Sequence, residues 1–273
     1  MNYKAAPQTQ QLVQVCHASA SVVKEPFWGF RDPEKEKLPY YKPERRDFGM
    51  GFYMCETKDQ DYPIGLCSKL PRAFLNEYVL DLDGLNPLYL HVNLVWFFVV
   101  AAHRRPEGKV RAENKKQWRL LGEAIRMEIQ QHKIIIGPIS DDQMFSLLDD
   151  FVDGSVAEEY VVRSVNYMNY PMQYVSKSVD TDKKLRFVRH RKIRTNELQK
   201  AKETKDAADE AMTLEMITLR ETEQVAVKNG TNKGRLFDEI VSSCFKAIDE
   251  YSDERKLAYL RDVVKGWLRN GVC

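Results

Sequence analysis

Two hydrophobic periods divide this chain. Up to about residue 195, short alternating or β-branched runs are interleaved with runs of helical spacing; beyond it only the helical period continues. Residues 12–17 (LVQVCH), 51–56, 77–82 (EYVLDL), 133–136, 172–179 (MQYVSKSV) and 184–193 predict strands, since such runs suit a pleated, half-buried surface. The run 94–102 is apolar on every side and predicts a buried helix, ended by Arg104-Arg105-Pro106. Residues 118–131, 142–151 and 156–167 predict helices with one apolar face. Asp83-Gly84 predicts a turn, and Gly137-Pro138 the end of a strand. Residues 27–46, with Pro33, Pro39 and Pro43 set among Lys and Glu, predict a long loop, and long loops in compact domains are often functional.

Residues 196–228 are polar and rich in Ala, Glu and Lys, and predict a helix with a weak apolar face. Leu198, Ala201, Ala208, Met212 and Leu219 fit a loose heptad seam, but Lys205 and Glu215 fall on the same seam. Leu236, Ile240, Val241, Cys244, Phe245 and Ile248 then trace a strong helical stripe. Leu257, Leu260, Val263, Val264, Trp267 and Leu268 trace a second, with Ser252 as the N-cap between them. Two such stripes predict a helical hairpin whose apolar faces must be buried. The chain therefore reads as a mixed α+β part over residues 1–195 and an all-helical extension over residues 196–273.

Composition narrows the classes. Hydrophobic residues make up 43% and charged residues 30% of the 273, ordinary for a soluble folded protein. The run 94–102 is too short to span a bilayer, and residues 1–11 hold one lysine and no apolar stretch, so neither a membrane span nor a secretory signal is expected. Cys16, Cys55, Cys67, Cys244 and Cys273 form no CxxC pair and have no histidine-rich companion. Free thiols in a reducing cytoplasm are expected, and no metal site. The net charge is +2, but residues 183–194 (KKLRFVRHRKIR) carry seven Lys or Arg, one His and no acid. Two readings stand open: the solvated face of a terminal strand, or a groove wall that attracts phosphates. No P-loop, GxSxG, HExxH or Rossmann fingerprint is present.

Five ordered segments carry candidate chemistry. His17-Ala18-Ser19 ends the first strand. Asp47-Phe48-Gly49-Met50-Gly51-Phe52-Tyr53 places two glycines before an aromatic pair. Trp96-Phe97-Phe98-Val99 is followed by Arg104-Arg105. Ile135-Ile136-Gly137-Pro138-Ile139-Ser140-Asp141-Asp142 runs from a strand into a helix. Met172-Gln173-Tyr174-Val175 opens a later strand. Singly, His17 also reads as a satisfied strand-end histidine, and Asp141 and Asp142 as N-caps placed well for the helix dipole. In this order the segments resemble the ADP-ribosyltransferase superfamily, and in particular a bacterial branch of ADP-ribosyltransferase-like toxin proteins. His17-Ala18-Ser19 resembles its opening His-Gly-Ser or His-Gly-Thr motif, with Ala18 in place of glycine. Gly49-x-Gly51-Phe52-Tyr53 resembles its Gly-x-Gly-x-Tyr turn and strand. Gln173 stands where many members carry a glutamate before Tyr-x-Val. The resemblance covers about residues 12–190 and does not reach the C-terminal helices.

The resemblance implies an α+β fold on a small split sheet, and an NAD-dependent mono-ADP-ribosyltransferase. Breaking the nicotinamide–ribose bond passes through an oxocarbenium-like transition state. Such an enzyme holds the dinucleotide bent, clamps the nicotinamide and aims a nucleophile at the anomeric carbon. By resemblance, His17 holds the nicotinamide-side ribose, with Ala18 and Ser19 beside it. Tyr53, next to Phe52, stacks on nicotinamide. Gly49 and Gly51 let the backbone turn close to the dinucleotide, and Gln173 orients the reacting ribose or the incoming nucleophile. Arg45, Arg46 or Arg105 meets the pyrophosphate, and Asp141 or Asp142 offers the missing carboxylate. A neutral amide at 173 can bond a hydroxyl but cannot act as a base. NAD is the expected substrate and no metal is expected. The implied setting is a cytoplasmic bacterial toxin or anti-phage effector, restrained by an inhibitory antitoxin-like protein partner. A nucleic-acid acceptor is favoured over a protein one, with no membrane involved. Gln173 also leaves open a catalytically inactive binding module, and the helical tail an interaction protein that acts through it.

Overall fold

The structure is a computed structural model and describes residues 12–25, 46–104, 110–140, 142–167 and 171–270. The expected loop 27–46 lies outside the described residues except for Arg46. Seven strands are described: β1 (Leu12–Ser19), β2 (Phe52–Glu56), β3 (Phe74–Asp81), β4 (Leu88–Tyr89), β5 (Ile134–Pro138), β6 (Met172–Ser176) and β7 (Leu185–Lys192). The helices are α1 (Asp61–Leu66), α2 (Leu94–Arg104), α3 (Lys115–Gln130), α4 (Asp142–Val152), α5 (Glu158–Tyr167), α6 (Val179–Lys183), α7 (Thr195–Lys228), α8 (Phe237–Phe245) and α9 (Asp253–Asn270). The fold is α+β with a helical C-terminal region. The sequence pattern misses α1, β4 and α6, each too short to establish a period of its own.

The strands form one mixed sheet in the order β4-β5-β6-β2-β1-β3-β7, antiparallel except for the β4–β5 pair. It is continuous rather than split, yet nearly divided at its centre. β1 pairs with β3 along its whole length, from Leu12 to Ser19, but with β2 only at Val15↔Glu56 and Cys16↔Cys55. From His17 onward the two central strands part.

The packing follows that division. On one face of the sheet Val15, Phe52, Met54, Tyr78, Leu80, Ile134, Ile136 and Tyr174 form a single cluster with Val23, Leu85 and Leu185. On the other face the apolar cover falls into two pieces. Over β5, β6 and β2 sits the main core, built around α2, whose residues Leu94 to His103 are all buried. A helix apolar all round must be enclosed by other elements, and α3, α4, α5, α8 and α9 enclose it. Phe98 stacks on Phe237 of α8 at 5.6 Å and meets Trp267 of α9 at 5.3 Å, while Trp118 of α3 meets Phe237 at 5.1 Å. Burying each such side chain contributes about 1.5–3 kcal/mol before entropy is counted. The stripes of α8 and α9 are thus buried in the same core as α2 and α3, so the change of composition near residue 195 is not a break in packing. Ser252 accepts a hydrogen bond from the Arg255 amide at 3.4 Å, in keeping with an N-cap for α9.

The second piece covers the β1–β3 half: Cys16, Cys55, Ile64, Cys67, Leu75, Ile193 and Ala201, with Leu198 against them. It comes from α1 and α7. A cleft opens between the two covers, above the line where β1 and β2 part.

Candidate functional site

The cleft has a volume of about 560 Å³, within the range of small-molecule pockets. His17, Ala18, Arg46, Tyr53 and Gln173 all line it, although three separate strands and a turn supply them. Ser19, Gly49, Gly51 and Phe52 are not among its lining residues. Arg45, Arg105 and Asp141 lie outside the described residues. Asp47, Arg104, Ser140 and Lys205 also line it, and the sequence reading gave none of them a role.

The turn before β2 shapes the site. The Gly49 amide donates to Arg46 O at 3.1 Å, and Gly49 takes a φ of 75°, which glycine adopts without strain. A Cβ there would also sit 2.9 Å from His103 Cδ2. A Cβ on Gly51 would sit 2.5 Å from Val175 Cγ1 and 2.8 Å from Ser176 O, so this glycine lets β2 lie against β6. Both glycines are therefore required by packing. Phe48 is fully buried against Gly137, whose own Cβ would meet it at 2.9 Å. The Tyr53 hydroxyl closes the turn: it donates to Gly49 O at 2.6 Å and accepts from the Phe48 amide at 3.1 Å. Burial, and then the nearby Asp47 charge, push its phenol well above the ordinary tyrosine range. Tyr53 is thus pinned by its hydroxyl, with the Arg46 guanidinium over its ring at 5.1 Å from the centroid.

Asp47 is the centre of the site and is 2% exposed. Its Oδ1 accepts from Arg104 Nε at 2.8 Å and Nη2 at 2.7 Å, and from Ser140 Oγ at 2.5 Å. Its Oδ2 accepts from the Ser140 amide at 2.9 Å and from Gln173 Nε2 at 2.7 Å. A buried charge is tolerable only when paired and fully hydrogen-bonded, and this one is both. The carboxylate ties the end of α2, the residues after β5 and the strand β6 to the turn before β2.

The same network orients Gln173, which is 5% exposed. Its Nε2 donates to Asp47 and also to Pro138 O at 2.9 Å, so both amide protons are engaged. The carbonyl Oε1 is the end left to face a ligand. Glutamine suits this position because its neighbours here are acceptors; a glutamate would set a second carboxylate against Asp47 and a carbonyl oxygen. Asp47 in turn polarises the amide and makes Oε1 a better acceptor.

His17 is held by a 2.8 Å bond between its Nδ1 and Tyr53 O. A carbonyl only accepts, so Nδ1 carries the proton and Nε2 is left as an acceptor. Burial pushes its pKa down from 6.5 to about 4, with a further push from Arg46. The ring is neutral at pH 7 and packs on Phe52, 4.7 Å between centroids. Among the described residues, β1 has no ladder partner on its β2 side beyond Cys16, and His17 and Ala18 there line the cleft.

The basic run 183–194 lies mostly on β7, at the edge of the sheet, with β3 and β1 between it and the cleft. Lys184 pairs with Asp81 at 3.1 Å, Arg189 with Glu77 at 2.9 Å and Arg191 with Glu197 at 2.7 Å. Arg186, His190, Lys192 and Arg194 are exposed. In sequence this run follows the Gln173 strand closely, but in space it does not flank Gln173. Among the described residues, no group of three or more His, Cys, Asp or Glu could hold a metal ion, and no helix is long and apolar enough to cross a membrane.

A family model, described as a protein of unknown function and labelled DUF3990, matches residues 14–187, and the chain belongs to that family. The match takes in His17, Asp47, Tyr53, Arg104, Ser140 and Gln173, and stops short of α7. Comparisons with curated proteins and with solved structures found no match.

Gln173→Glu would read from sequence as the simple return of a carboxylate, but here it crowds Asp47. The variant should be destabilised at pH 7 by about 2–4 kcal/mol. The paired carboxyls would have a folded pKa raised above the unfolded value, so the deficit should shrink as the pH falls and the pair takes up a proton. Thermal unfolding from pH 5 to 8 measures this, and equal stability of variant and wild type at pH 7 would contradict the network. For His17, the folded chain resists a proton that the unfolded chain accepts near pH 6.5. Its contribution to stability is therefore complete above pH 6.5 and declines between 6.5 and about 4. An NMR titration of the ring should give a midpoint near 4 with the Nδ1–H tautomer; a midpoint near 6.5 would show that the ring is not held as described.

Proposed function

We propose that this chain is an NAD-dependent mono-ADP-ribosyltransferase whose dinucleotide lies in the cleft between β1 and β2. The observation that carries the reading is that His17, Ala18, Arg46, Tyr53 and Gln173, far apart in sequence, line one cleft at the place where the central strands part. Their chemistry suits the reaction. His17 Nε2 accepts from a hydroxyl of the nicotinamide-side ribose. The carboxamide of nicotinamide meets the β1 edge at His17 and Ala18. The Tyr53 ring offers a fixed surface for nicotinamide once the exposed Arg46 side chain moves off it. As the bond to nicotinamide breaks, positive charge builds on the ribose, and Gln173 Oε1 steadies it as a polarised acceptor. No covalent intermediate is needed; positioning supplies most of the rate.

The acceptor we propose is nucleic acid rather than protein, on the strength of the exposed cations of β7, which attract a polyanion to the sheet edge two strands from the cleft. The bacterial toxin or anti-phage setting, with a restraining protein partner, belongs to the same proposal and rests on the motif resemblance. A second reading has its own support. Among the described residues Asp47 is the one carboxylate lining the cleft, and both its oxygens are engaged. That favours a binding module that has kept the pocket and lost the chemistry.

Incubation with NAD labelled on its adenylate phosphate, with and without whole-cell lysate, separates the readings. Label is expected on RNA or DNA, and His17→Ala and Tyr53→Ala should each lower dinucleotide turnover by at least about tenfold. Label on protein alone would reverse the choice of acceptor. Binding of NAD without turnover would favour the binding module, and no binding at all would overturn the cleft assignment.

A further inference from the structure

The helix that follows the family-matched region adds a residue of its own to the cleft. Leu198, Ala201 and Lys205 share one face of α7, at spacings of three and four. Leu198 and Ala201 pack with Cys16, Cys55, Ile64 and Cys67. Gly65 allows α1 and α7 to close up, since a Cβ on it would sit 3.3 Å from Ala201 O. This packing holds α7 as an outer wall, and its next turn brings the half-buried Lys205 into the cleft lining. The lysine that interrupts the apolar seam of this helix therefore stands where the seam passes from core to cleft.

The charges of the lining give that lysine a task. Arg46, Arg104 and Lys205 line the cleft together with one acid, Asp47. His17 is neutral, so the lining carries more positive than negative charge. The wall beside Lys205 is apolar: Tyr62, Pro63 and Leu66 of α1, with Leu66 61% exposed. Cations beside a low-dielectric wall attract an anion that carries an aromatic or apolar group.

We propose that Lys205 is a binding residue of this cleft and takes the diphosphate of the dinucleotide from the α7 wall, while Arg46 approaches from the Tyr53 side. The proposal rests on the reading of the cleft as an NAD site. A lysine ammonium is a point charge that tolerates several phosphate positions, which fits a flexible diphosphate better than a fixed fork. The site is then completed by a helix outside the family-matched region, so ligand affinity depends on α7 being docked.

Calorimetry on the full chain tests this with two probes, ADP-ribose and the phosphate-free nicotinamide riboside. Lys205→Ala should weaken ADP-ribose binding about tenfold, and Lys205→Glu more, while nicotinamide riboside binds as before. The difference should shrink as salt rises. Lys202→Ala, an exposed lysine of the same helix, should change neither. Unaltered ADP-ribose binding by Lys205→Ala would overturn the proposal, as would equal weakening of both probes, which would mean a structural role. Weakened binding of an RNA oligonucleotide with ADP-ribose unaffected would also overturn it, and would assign Lys205 to the acceptor. Failure of the wild-type chain to bind either probe would instead remove the underlying NAD reading.

Discussion

The Asp47 carboxylate accepts hydrogen bonds from Arg104 at the end of α2, from Ser140 after β5 and from Gln173 in β6, while its own backbone belongs to the turn that leads into β2. Four segments that the sequence holds far apart are thus joined at one buried charge. Removing it would take this acceptor from the Arg104 guanidinium, the Ser140 hydroxyl and amide, and one amide proton of Gln173. Breaking a buried pair of this kind costs about 3–5 kcal/mol. The geometry of Tyr53 and Gln173 follows from the same joint. Tyr53 is pinned to the turn that Asp47 anchors, and Gln173 is oriented by Asp47 directly. His17 is fixed one step further on, through Tyr53 O.

This joint explains why a glutamine can stand where a carboxylate is expected. The cleft has room electrostatically for one buried acid, and Asp47 is that acid, matched by Arg104. A second carboxylate 2.7 Å away would force one of the two to hold a proton. The division of labour is then between a structural anion in the lining, both of whose oxygens are engaged, and a neutral amide that turns its Oε1 to the cleft. The divided helical cover serves the same end. A sheet with one continuous cover has no opening at its centre; here α1 and α7 cover one half, the α2-centred core covers the other, and the gap exposes the ends of β1 and β2.

Much of this was legible in the sequence, because the signals are local. The strand periods of β1, β3, β6 and β7, the all-round apolar character of α2 and the stripes of α8 and α9 were each readable within a few turns of chain. So were the motif residues His17, Tyr53 and Gln173, since their segments carry the resemblance. What could not be read depends on long-range pairing. Nothing local says that Asp47 meets Gln173 across 126 positions, or that β7 follows β3 at the sheet edge, away from the cleft. The glycines show the same limit: Gly49 and Gly51 were visible as special, but the reason lies in His103 and Val175, which only the fold brings close. Lys205 was visible as a fault in an apolar seam, and its meaning depends on what α7 packs against.

A crystal structure of the full chain with bound NAD would show whether the cleft between β1 and β2 holds the dinucleotide. Nicotinamide is expected against Tyr53 with Arg46 displaced from the ring, a ribose hydroxyl on His17 Nε2, Gln173 Oε1 turned to the ribose, and the Asp47 network unchanged. A dinucleotide bound elsewhere, or one that enters the cleft only by breaking the bonds between Asp47, Arg104 and Gln173, would contradict this assignment.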